Sequence, residues 1–236
     1  MIYITGDTHR RFTRLLTTSF KKEDILIILG DAGINYYLDN TDNLVKDLLS
    51  NYNNNFFIIQ GNHEERPENI KTYKEKEMYG GKVYIEDEYP NLIFAKNGEI
   101  YNIEDNRFLV IGGAYSVDKY YRLKNKLNWF KDEQLTNKEK KDIINKCTGE
   151  KVDYILSHTC PYKYIPREAF LPGIDERLVD NSMEYFLDKI EEIVTYDKWY
   201  CGHYHISKEI DKLEFLYYDI KELSKTKEKE KSIIKK

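Results

Sequence analysis

Cysteine, proline and histidine are all scarce in this chain, which has three, five and five of them among 236 residues. Cys147, Cys160 and Cys201 are odd in number and lack C-x-x-C spacing, which argues against a disulfide framework and a thiolate zinc site. We expect these thiols to be reduced and structural. No apolar run approaches the roughly 20 residues that cross a bilayer, and the start MIYITGD lacks the features of a signal peptide. A cytoplasmic protein without a membrane partner is therefore predicted.

Internal repeats and Pro-rich linkers are also lacking, so nothing divides the chain into two domains. Hydrophobic residues make up 41% of it and aromatic residues 14%, which is enough for one sizeable core. We expect a single domain over residues 1–220. Residues 221–236 contain seven lysines, three glutamates and few apolar residues, so this tail is expected to be a frayed helix or disordered.

Negative charge slightly exceeds positive charge. The formal net charge is −4, and because the tail carries +4, the first 220 residues carry −8. An acidic body argues weakly against tight, sequence-independent binding of long DNA, although a local basic groove escapes such a count. A nucleic-acid-binding module that uses the basic tail is one alternative function.

Short apolar runs that stop at a glycine or a histidine recur along the chain and predict buried strands. They are MIYITGD (1–7), DILIILGD (24–31), FFIIQGN (56–62), RFLVIGG (107–113), YILSH (154–158) and WYCGH (199–203). Continuous apolar runs of this length are typical of strands covered on both faces. From KVYIEDEYPNLIFAKNGEIYNI to RFLVIGG, strands joined by short turns such as KNGE predict an antiparallel portion.

Helical patterns lie between these strands. Two predicted helix faces consist of apolar residues at helical spacing, namely Phe12, Leu15, Leu16 and Phe20, and then Leu44, Val45, Leu48, Leu49 and Tyr52. Ser182 can cap a third helix. The buried stripe of that helix would be Phe186, Ile190, Ile193 and Val194. The alternation of strands and helices makes the fold class α/β.

Metal-binding residue types follow the predicted strand ends. Asp7, Asp31, Asn62 and His203 each come directly after a glycine. Glycine lets the chain turn sharply, which brings the following side chains over the sheet edge where ligands bind in open α/β sheets. The candidates, which include every histidine of the chain, are Asp7, His9, Asp31, Asn62, His63, His158, His203 and His205.

Each candidate also has an ordinary structural explanation. Asp7 and Thr8 can cap a helix that begins near Arg10. Asp31 can be a turn aspartate, and a histidine such as His158 is more often a core residue than a ligand. These explanations must all hold at once and must also explain why no histidine occurs elsewhere, so we prefer a metal site.

The ligand types constrain the metal. Imidazoles, two carboxylates and one amide, without a thiolate, suit Mn, Fe or Zn better than Ca. Seven ligands are too many for one tetrahedral zinc ion. Two ions that share a bridging carboxylate fit the count, at the roughly 3.5–4 Å separation of two-metal hydrolytic centres.

Five ordered blocks, GDTH, GDAG, GNHE, SHT and GHYH, resemble the calcineurin-like metallophosphoesterases over residues 5–205. The resemblance implies a two-sheet β-sandwich flanked by helices, with the active site at the C-terminal ends of the strands. It implies that Asp31 bridges two divalent ions. The first ion would also be held by Asp7, His9 and His205, and the second by Asn62, His158 and His203. His63 is similar to the family's histidine that holds no metal and faces the substrate phosphorus.

His203 and His205 test this division of ligands. In an extended backbone their side chains would point the same way, because side-chain direction repeats every second residue, and this favours one shared metal. The resemblance instead assigns them to different ions.

The same residues predict a metal-dependent phosphoesterase. Two cations lower the pKa of a bridging water, so that hydroxide can attack phosphorus in line with the leaving group. His63 can then protonate the departing alkoxide or stabilise the transition state. Manganese is the expected metal, with iron, zinc and nickel as alternatives.

Two departures from the family bear on the substrate. Protein phosphatases of this kind carry Gly-Asp-x-x-Asp-Arg-Gly, whereas GDAGINY has Ile34 and Asn35 at the later Asp and the Arg. The phosphate-gripping arginine is therefore missing from its usual place, and Arg10 stands where glycine is common. Arg122, in the aromatic stretch GGAYSVDKYYR, is our candidate for a substitute that binds the substrate. A surface loop whose tyrosines pack on the core explains that stretch equally well.

We therefore expect a phosphodiesterase that acts on nucleotides or nucleic acid rather than a protein phosphatase. One alternative is a phosphomonoesterase, including a protein phosphatase. Another is a non-catalytic binding or scaffold member of the fold. The expected partner is a small phosphoester or nucleotide, with nucleic acid as a further candidate, and the sequence does not predict the oligomeric state.

Overall fold

The computed structural model describes residues 1–170 and 175–223. Within those ranges the strands are β1 (Ile2–Thr5), β2 (Ile25–Ile28), β3 (Asn55–Ile58), β4 (Tyr73–Met78), β5 (Gly81–Glu86), β6 (Leu92–Ala95), β7 (Ile100–Ile103), β8 (Asn106–Ile111), β9 (Tyr154–Ser157), β10 (Lys198–Cys201), β11 (Lys208–Ile210), β12 (Leu213–Phe215) and β13 (Lys221–Leu223). The α-helices are α1 (Asn40–Ser50), α2 (Lys119–Lys124), α3 (Asn137–Cys147) and α4 (Ser182–Ile193). Short 3₁₀-helices span Phe12–Thr17, Pro67–Asn69, Tyr162–Tyr164, Arg167–Ala169 and Glu176–Leu178.

The strands form two sheets. One has the order β13-β1-β2-β3-β6-β5-β4, in which β1, β2, β3 and β6 are parallel. The other has the order β11-β12-β10-β9-β8-β7, in which β12, β10, β9 and β8 are parallel. In each sheet the parallel strands end at one edge, so the residues that follow them lie side by side.

Three apolar clusters hold these layers together. The first lies between the sheets, where Ile27 and Phe57 of one sheet and Val110 and Leu156 of the other belong to one buried cluster. The second lies between the second sheet and helices α3 and α4, and the third between the first sheet and α1. The core therefore sits on both faces of both sheets. Burial of each large side chain in it contributes about 1.5–3 kcal/mol to stability. The predicted two-sheet sandwich flanked by helices is confirmed.

The six apolar runs form the strands that were expected of them, β1, β2, β3, β8, β9 and β10. The middle of the chain is antiparallel where β4 pairs with β5, β5 with β6 and β7 with β8. The KNGE turn is different, because it leads from β6 in one sheet to β7 in the other. It therefore connects the two sheets instead of closing a hairpin.

The first two predicted helix faces are partly wrong. The first segment forms only a 3₁₀-helix, Phe12–Thr17, in which Leu16 is 77% exposed. In α1, Leu44 and Leu48 are exposed, and the helix instead buries Asp42 and Lys46 beside Leu49. The two charged residues tolerate burial because Arg10 pairs with Asp42 and Glu86 pairs with Lys46.

The third predicted helix is α4, with one change at its start. Its N-cap is Asn181, while Ser182 is the first helical residue and donates its N–H to Asp180 Oδ1 at 2.9 Å. Ser182 is therefore not the cap. Phe186, Ile190 and Val194 are buried as expected, whereas Ile193 is half-buried.

The sheet extends past the expected domain boundary at residue 220. Lys221–Leu223 form β13, which pairs antiparallel with β1. The rest of the predicted tail, 224–236, lies outside the described residues. In the part of the chain that is described, none of the helices is both long enough and apolar enough to cross a membrane.

Candidate metal centre

Three glycines occupy positions where backbone and candidate ligands approach each other closely. A Cβ would lie 2.2 Å from His158 Nδ1 if added to Gly30, 2.0 Å from Asp31 Oδ1 if added to Gly61, and 2.2 Å from Asp7 Oδ1 if added to Gly202. Only Gly30 of these three has a positive φ, at 94°. Close approach therefore requires glycine at positions 61 and 202, and the sharp turn expected from the sequence applies to position 30.

The left-handed conformation falls on candidate ligands themselves. The φ angles are 43° at His9, 47° at Asp31, 68° at His203 and 52° at His205. This conformation costs roughly 1–2 kcal/mol per non-glycine residue, and such strain tends to cluster at functional sites. Hydrogen bonds between distant segments hold this conformation. The backbone N–H of His9 donates to Asp31 O at 2.8 Å, and that of His203 donates to Asp7 Oδ1 at 2.9 Å. The backbone at His203 and His205 is thus not extended.

Asp7, His9 and His205 form a first set of side chains, here called the Asp7 group. His205 Nε2 lies 3.1 Å from Asp7 Oδ2 and 2.9 Å from His9 Nε2. Asp7 Oδ2 is buried and accepts no hydrogen bond with good geometry. Two imidazole nitrogens and an unsatisfied carboxylate oxygen within this distance can hold a metal ion.

Asn62, His158 and His203 form a second set, here called the Asn62 group. His158 Nδ1 lies 2.7 Å from Leu29 O, which can only accept, so that nitrogen carries the proton and the Nε2 lone pair is free. His158 Nε2 faces Asn62 Oδ1 at 2.8 Å, and His203 Nδ1 faces the same oxygen at 3.1 Å. Two acceptors that face each other in this way fit a cation better than a hydrogen bond.

Asp31 lies between the two groups. Its Oδ2 is 3.9 Å from His9 Nε2, and its Oδ1 is 3.7 Å from His158 Nε2. Each oxygen thus faces one group, as a bridging carboxylate requires. Asp7, Asp31 and His158 also bring ligand atoms close enough to hold an ion. The carboxylate and imidazole donors fit divalent metals of the Mn, Fe or Zn type.

Electrostatics favour the metal-binding forms of Asp31 and His203, whereas the hydrogen bond to Asp7 raises the pKa of His205. Burial alone would raise the pKa of Asp31, but His158, His63 and His9 outweigh it and hold that pKa below its ordinary value. Burial lowers the pKa of His203 to about 3, which keeps its imidazole neutral. A carboxylate and neutral imidazoles are the states that bind metal ions.

His63 stands at the edge of the two groups. Its backbone N–H donates to Asp31 Oδ1 at 2.8 Å, and its ring Nε2 lies 3.4 Å from Arg122 Nη2. Burial lowers the pKa of His63, although Asp31 opposes this, and Arg122 lowers it further. All five histidines of the chain therefore converge in one place, as the motif order predicts.

Arg122 is positioned by the loop and helix around it. Its Nε donates to Asp118 Oδ2 at 2.8 Å and its Nη1 to Tyr36 Oη at 3.2 Å, which leaves Nη2 directed at His63. Tyr120 and Tyr121 beside it are 68% and 63% exposed. The alternative in which the tyrosines of this stretch pack on the core is therefore wrong for Tyr120 and Tyr121, while Tyr115 is half-buried.

His63 lines two cavities. The larger, of about 380 Å³, runs from Asp31 and His203 to an apolar wall that includes Val117, Phe170 and Ile206. The smaller, of about 160 Å³, is lined by Arg122 and by aromatic and basic side chains, namely Tyr36, Tyr37 and Arg10. A phosphoryl group at His63 would thus have space for substituents in two cavities.

Arg10 departs from the usual glycine and has a clear structural role. Its φ is 67°, which explains why glycine is common there. Its guanidinium donates to Gly33 O at 2.9 Å, Asp42 Oδ1 at 2.6 Å and Thr41 O at 2.7 Å. These bonds compensate the strained backbone and tie the His9 loop to α1.

Two buried polar residues lie beside the two groups. From the sequence, Glu64 is either a residue that orients the adjoining His63 or part of a solvated turn, and its burial excludes the solvated turn, whereas Arg14 was missed. Glu64 accepts the N–H groups of Gly33 and Gly61 at 3.2 and 3.1 Å, which joins the loops after β2 and β3. Burial and the nearby Asp31 raise the pKa of Glu64 to about 8. Arg14 donates to Asp7 O at 3.1 Å beneath the first loop. No spacing signal predicts these contacts, because each depends on loops that meet only in the fold.

Ile34 and Asn35, in the loop after β2, stand where the protein-phosphatase pattern has Asp and Arg. Ile34 is fully buried, and Asn35, 1% exposed, accepts from Tyr73 Oη at 3.1 Å. The position that would carry the phosphate-gripping arginine therefore points into the core. Neither side chain is available to a substrate.

A family model described as calcineurin-like phosphoesterase matches residues 1–207. No curated protein matches the chain with significance. The matched segment covers both groups and the strands from β1 to β10. The Asp and His groups can hold metal ions, as metal-dependent phosphoester hydrolysis requires. The chain belongs to the calcineurin-like phosphoesterases.

Proposed function

We propose that this protein is a two-metal phosphodiesterase that acts on nucleotides or nucleic acid. The Asp7 group and Asp31 would hold one divalent ion, and the Asn62 group and Asp31 the other, with manganese as the expected metal. The observation that carries the proposal is Asp31, whose two oxygens face the two groups separately. One carboxylate shared between two sets of imidazoles fits a paired site better than a single ion.

His63 and Arg122 would handle the phosphoryl group. Divalent ions bound beside them would supply a hydroxide nucleophile near neutral pH and neutralise phosphoryl charge. Burial and Arg122 keep His63 neutral in the free protein, because both lower its pKa. Negative phosphoryl oxygens between the two side chains would favour the imidazolium form, which can donate a proton to the leaving oxygen.

The surroundings of Arg122 favour a nucleotide or nucleic-acid substrate over a phosphoprotein. The usual arginine position holds the buried Asn35, and the guanidinium beside His63 comes instead from α2. Exposed Tyr120 and Tyr121 flank it and can stack on a base. A phosphodiester also needs room for a second substituent, and two cavities are lined by His63.

Hydrolysis assays with added Mn²⁺ test the function directly. We expect turnover of an aryl phosphodiester and of a short oligonucleotide, with slower turnover of an aryl phosphomonoester. Asp31→Asn should abolish hydrolysis and weaken binding of both ions, whereas His63→Ala should lower kcat and leave metal binding intact. Protein shown to bind two ions but inactive with every divalent metal would support the non-catalytic alternative and contradict the proposal. Faster hydrolysis of the monoester would support a phosphomonoesterase.

A further inference from the structure

The side-chain amide of Asn62 has two chemically opposite ends. Its Oδ1 lies 2.8 Å from His158 Nε2 and 3.1 Å from His203 Nδ1, whereas its Nδ2 points away from both rings. An amide oxygen can bind a cation, but an amide NH₂ repels one. The orientation of this one side chain therefore decides whether the Asn62 group has three ligand atoms or two.

A buried chain of hydrogen bonds holds the other end of the amide. Asn62 Nδ2 donates to Ser116 Oγ at 2.8 Å, and Ser116 Oγ donates to Glu133 Oε2 at 2.5 Å. Glu133 Oε1 also accepts Ser116 N–H at 3.1 Å, and its Oε2 accepts Trp129 Nε1–H at 2.8 Å. Ser116 is 1% exposed and Glu133 is 3% exposed, so water does not compete for these bonds.

The direction of this chain follows from its members. The backbone N–H of Ser116 and the indole N–H of Trp129 can only donate, so both oxygens of Glu133 act as acceptors. The carboxylate attracts the hydroxyl proton of Ser116, which leaves the Ser116 oxygen as an acceptor. Only the NH₂ end of Asn62 can satisfy that acceptor, and the amide oxygen must then face His158 and His203.

We propose that Ser116 and Glu133 are positioning residues that fix the amide orientation of Asn62 and so set the metal affinity of the Asn62 group. This inference rests on the proposed function only in taking Asn62 as a metal ligand. Outer partners of metal ligands typically change affinity by roughly 10–100-fold when removed. Ser116 also lies in the loop that leads to Asp118 and Arg122, so the same bonds anchor that loop beside the Asn62 group.

Metal titration of Ser116→Ala tests the inference without any substrate. Binding of Co²⁺, followed by visible absorption and calorimetry, should show one site weakened by about 10–100-fold and the other unchanged. Asn62→Ala identifies the affected site. Trp129→Phe removes one donor to Glu133 but keeps the bonds between Ser116 and Asn62, so it should leave both affinities near wild type. Ser50→Ala, on the remote helix α1, controls for loss of a serine hydroxyl.

Asn62→Asp supplies the decisive background. A carboxylate offers an oxygen in either orientation, so Ser116→Ala should cost no further affinity in that background. An additive loss in the double variant would overturn the proposal, as would wild-type affinity in Ser116→Ala or equal weakening of both sites. If Ser116→Ala does not fold, Glu133→Gln takes its place, because its amide cannot satisfy all three donors. Intact metal affinities in an inactive protein would instead count against the phosphodiesterase function.

Discussion

At the scale of single residues, His203 and His205 lie two positions apart and turn to different partners. His203 Nδ1 is 3.1 Å from Asn62 Oδ1, whereas His205 Nε2 is 3.1 Å from Asp7 Oδ2. The positive φ angles at both histidines produce this divergence. Gly202, ahead of them, leaves room for the Asp7 carboxylate. Neighbours in sequence can therefore belong to separate groups.

Single alanine substitutions should remove the two ions separately. In His203→Ala we expect the Asn62 group to lose most of its affinity and the Asp7 group to stay occupied, and in His205→Ala the reverse. Titration with Mn²⁺, followed by calorimetry, measures both affinities. Loss of both ions in either variant at saturating metal would show that the two groups act as one site.

Arg122 gives a second prediction at this scale, since its Nη2 lies 3.4 Å from His63 Nε2. Arg122→Ala should lower kcat/KM for an aryl phosphodiester by about 10²-fold, because a charged donor at the phosphoryl oxygens is lost. Metal affinities should not change. Lys126→Ala, which removes an exposed cation just after the same helix, is the matched control. An unchanged kcat/KM in Arg122→Ala would exclude it as a substrate residue.

At the scale of elements, the site is built on strand ends, and the strand ends of the two sheets lie in close contact there. Gly202 follows β10, and a Cβ there would meet Asp7 Oδ1 at 2.2 Å and Leu29 O at 3.1 Å. Both atoms belong to the other sheet's strand ends. The junction between the two sheets therefore has no space for a methyl group.

Gly202→Ala should consequently displace Asp7 and lower the metal affinity of the Asp7 group by at least about 10-fold. Thermal unfolding and Co²⁺ titration would measure the loss of stability and of affinity. Gly149→Ala is a suitable control, because a Cβ there meets nothing within 4 Å and only the positive φ of 81° opposes it. That control should cost roughly 1–2 kcal/mol without changing metal affinity. Equal metal affinity in Gly202→Ala and wild type would contradict the steric argument.

At the scale of the whole molecule, a buried carboxyl in α4 makes stability depend on pH. Glu184 is 4% exposed, accepts from Thr159 Oγ1 at 2.7 Å, and has one oxygen without a hydrogen-bond partner. Burial raises its pKa from 4.5 to about 7. The folded protein therefore binds a proton that the unfolded chain releases between these pH values.

The sign of this effect gives the fourth prediction. Because the folded-state pKa is raised, the contribution of Glu184 to stability is fully present below about pH 4.5 and is lost as the pH rises through 7. Between pH 5 and pH 8 the loss should be roughly 2–3 kcal/mol. Glu184→Gln should remove that part of the pH dependence, measured by urea unfolding in the presence of a chelator. Glu192→Gln removes an exposed carboxyl from the same helix and should leave the pH dependence of stability unchanged. Identical pH profiles for wild type and Glu184→Gln would contradict the assignment.

Sequence patterns identified the six buried parallel strands and the residues after them correctly, because each depends on local features. Apolar runs such as DILIILGD mark a strand covered on both faces, and a glycine marks its end. The helices were harder to predict. Leu44 and Leu48 match helical spacing but are exposed, because the pairing of Asp42 and Lys46 with distant residues decides which face of α1 is buried.

By itself, the sequence determined the α/β class and the set of eight clustered candidates, since strand ends and the residues after them are encoded locally. The order of the motifs determined the family, and the resemblance to that family implied the two-sheet sandwich. Only the tertiary structure decided which partners surround that set. One feature that it decided is the left-handed backbone of His203 and His205. Two others join segments far apart in sequence, namely the approach of Arg122 to His63 and the hydrogen bonds from Asn62 through Ser116 to Glu133. Contacts of this kind arise from the packing of one sheet against the other, and no local pattern predicts them.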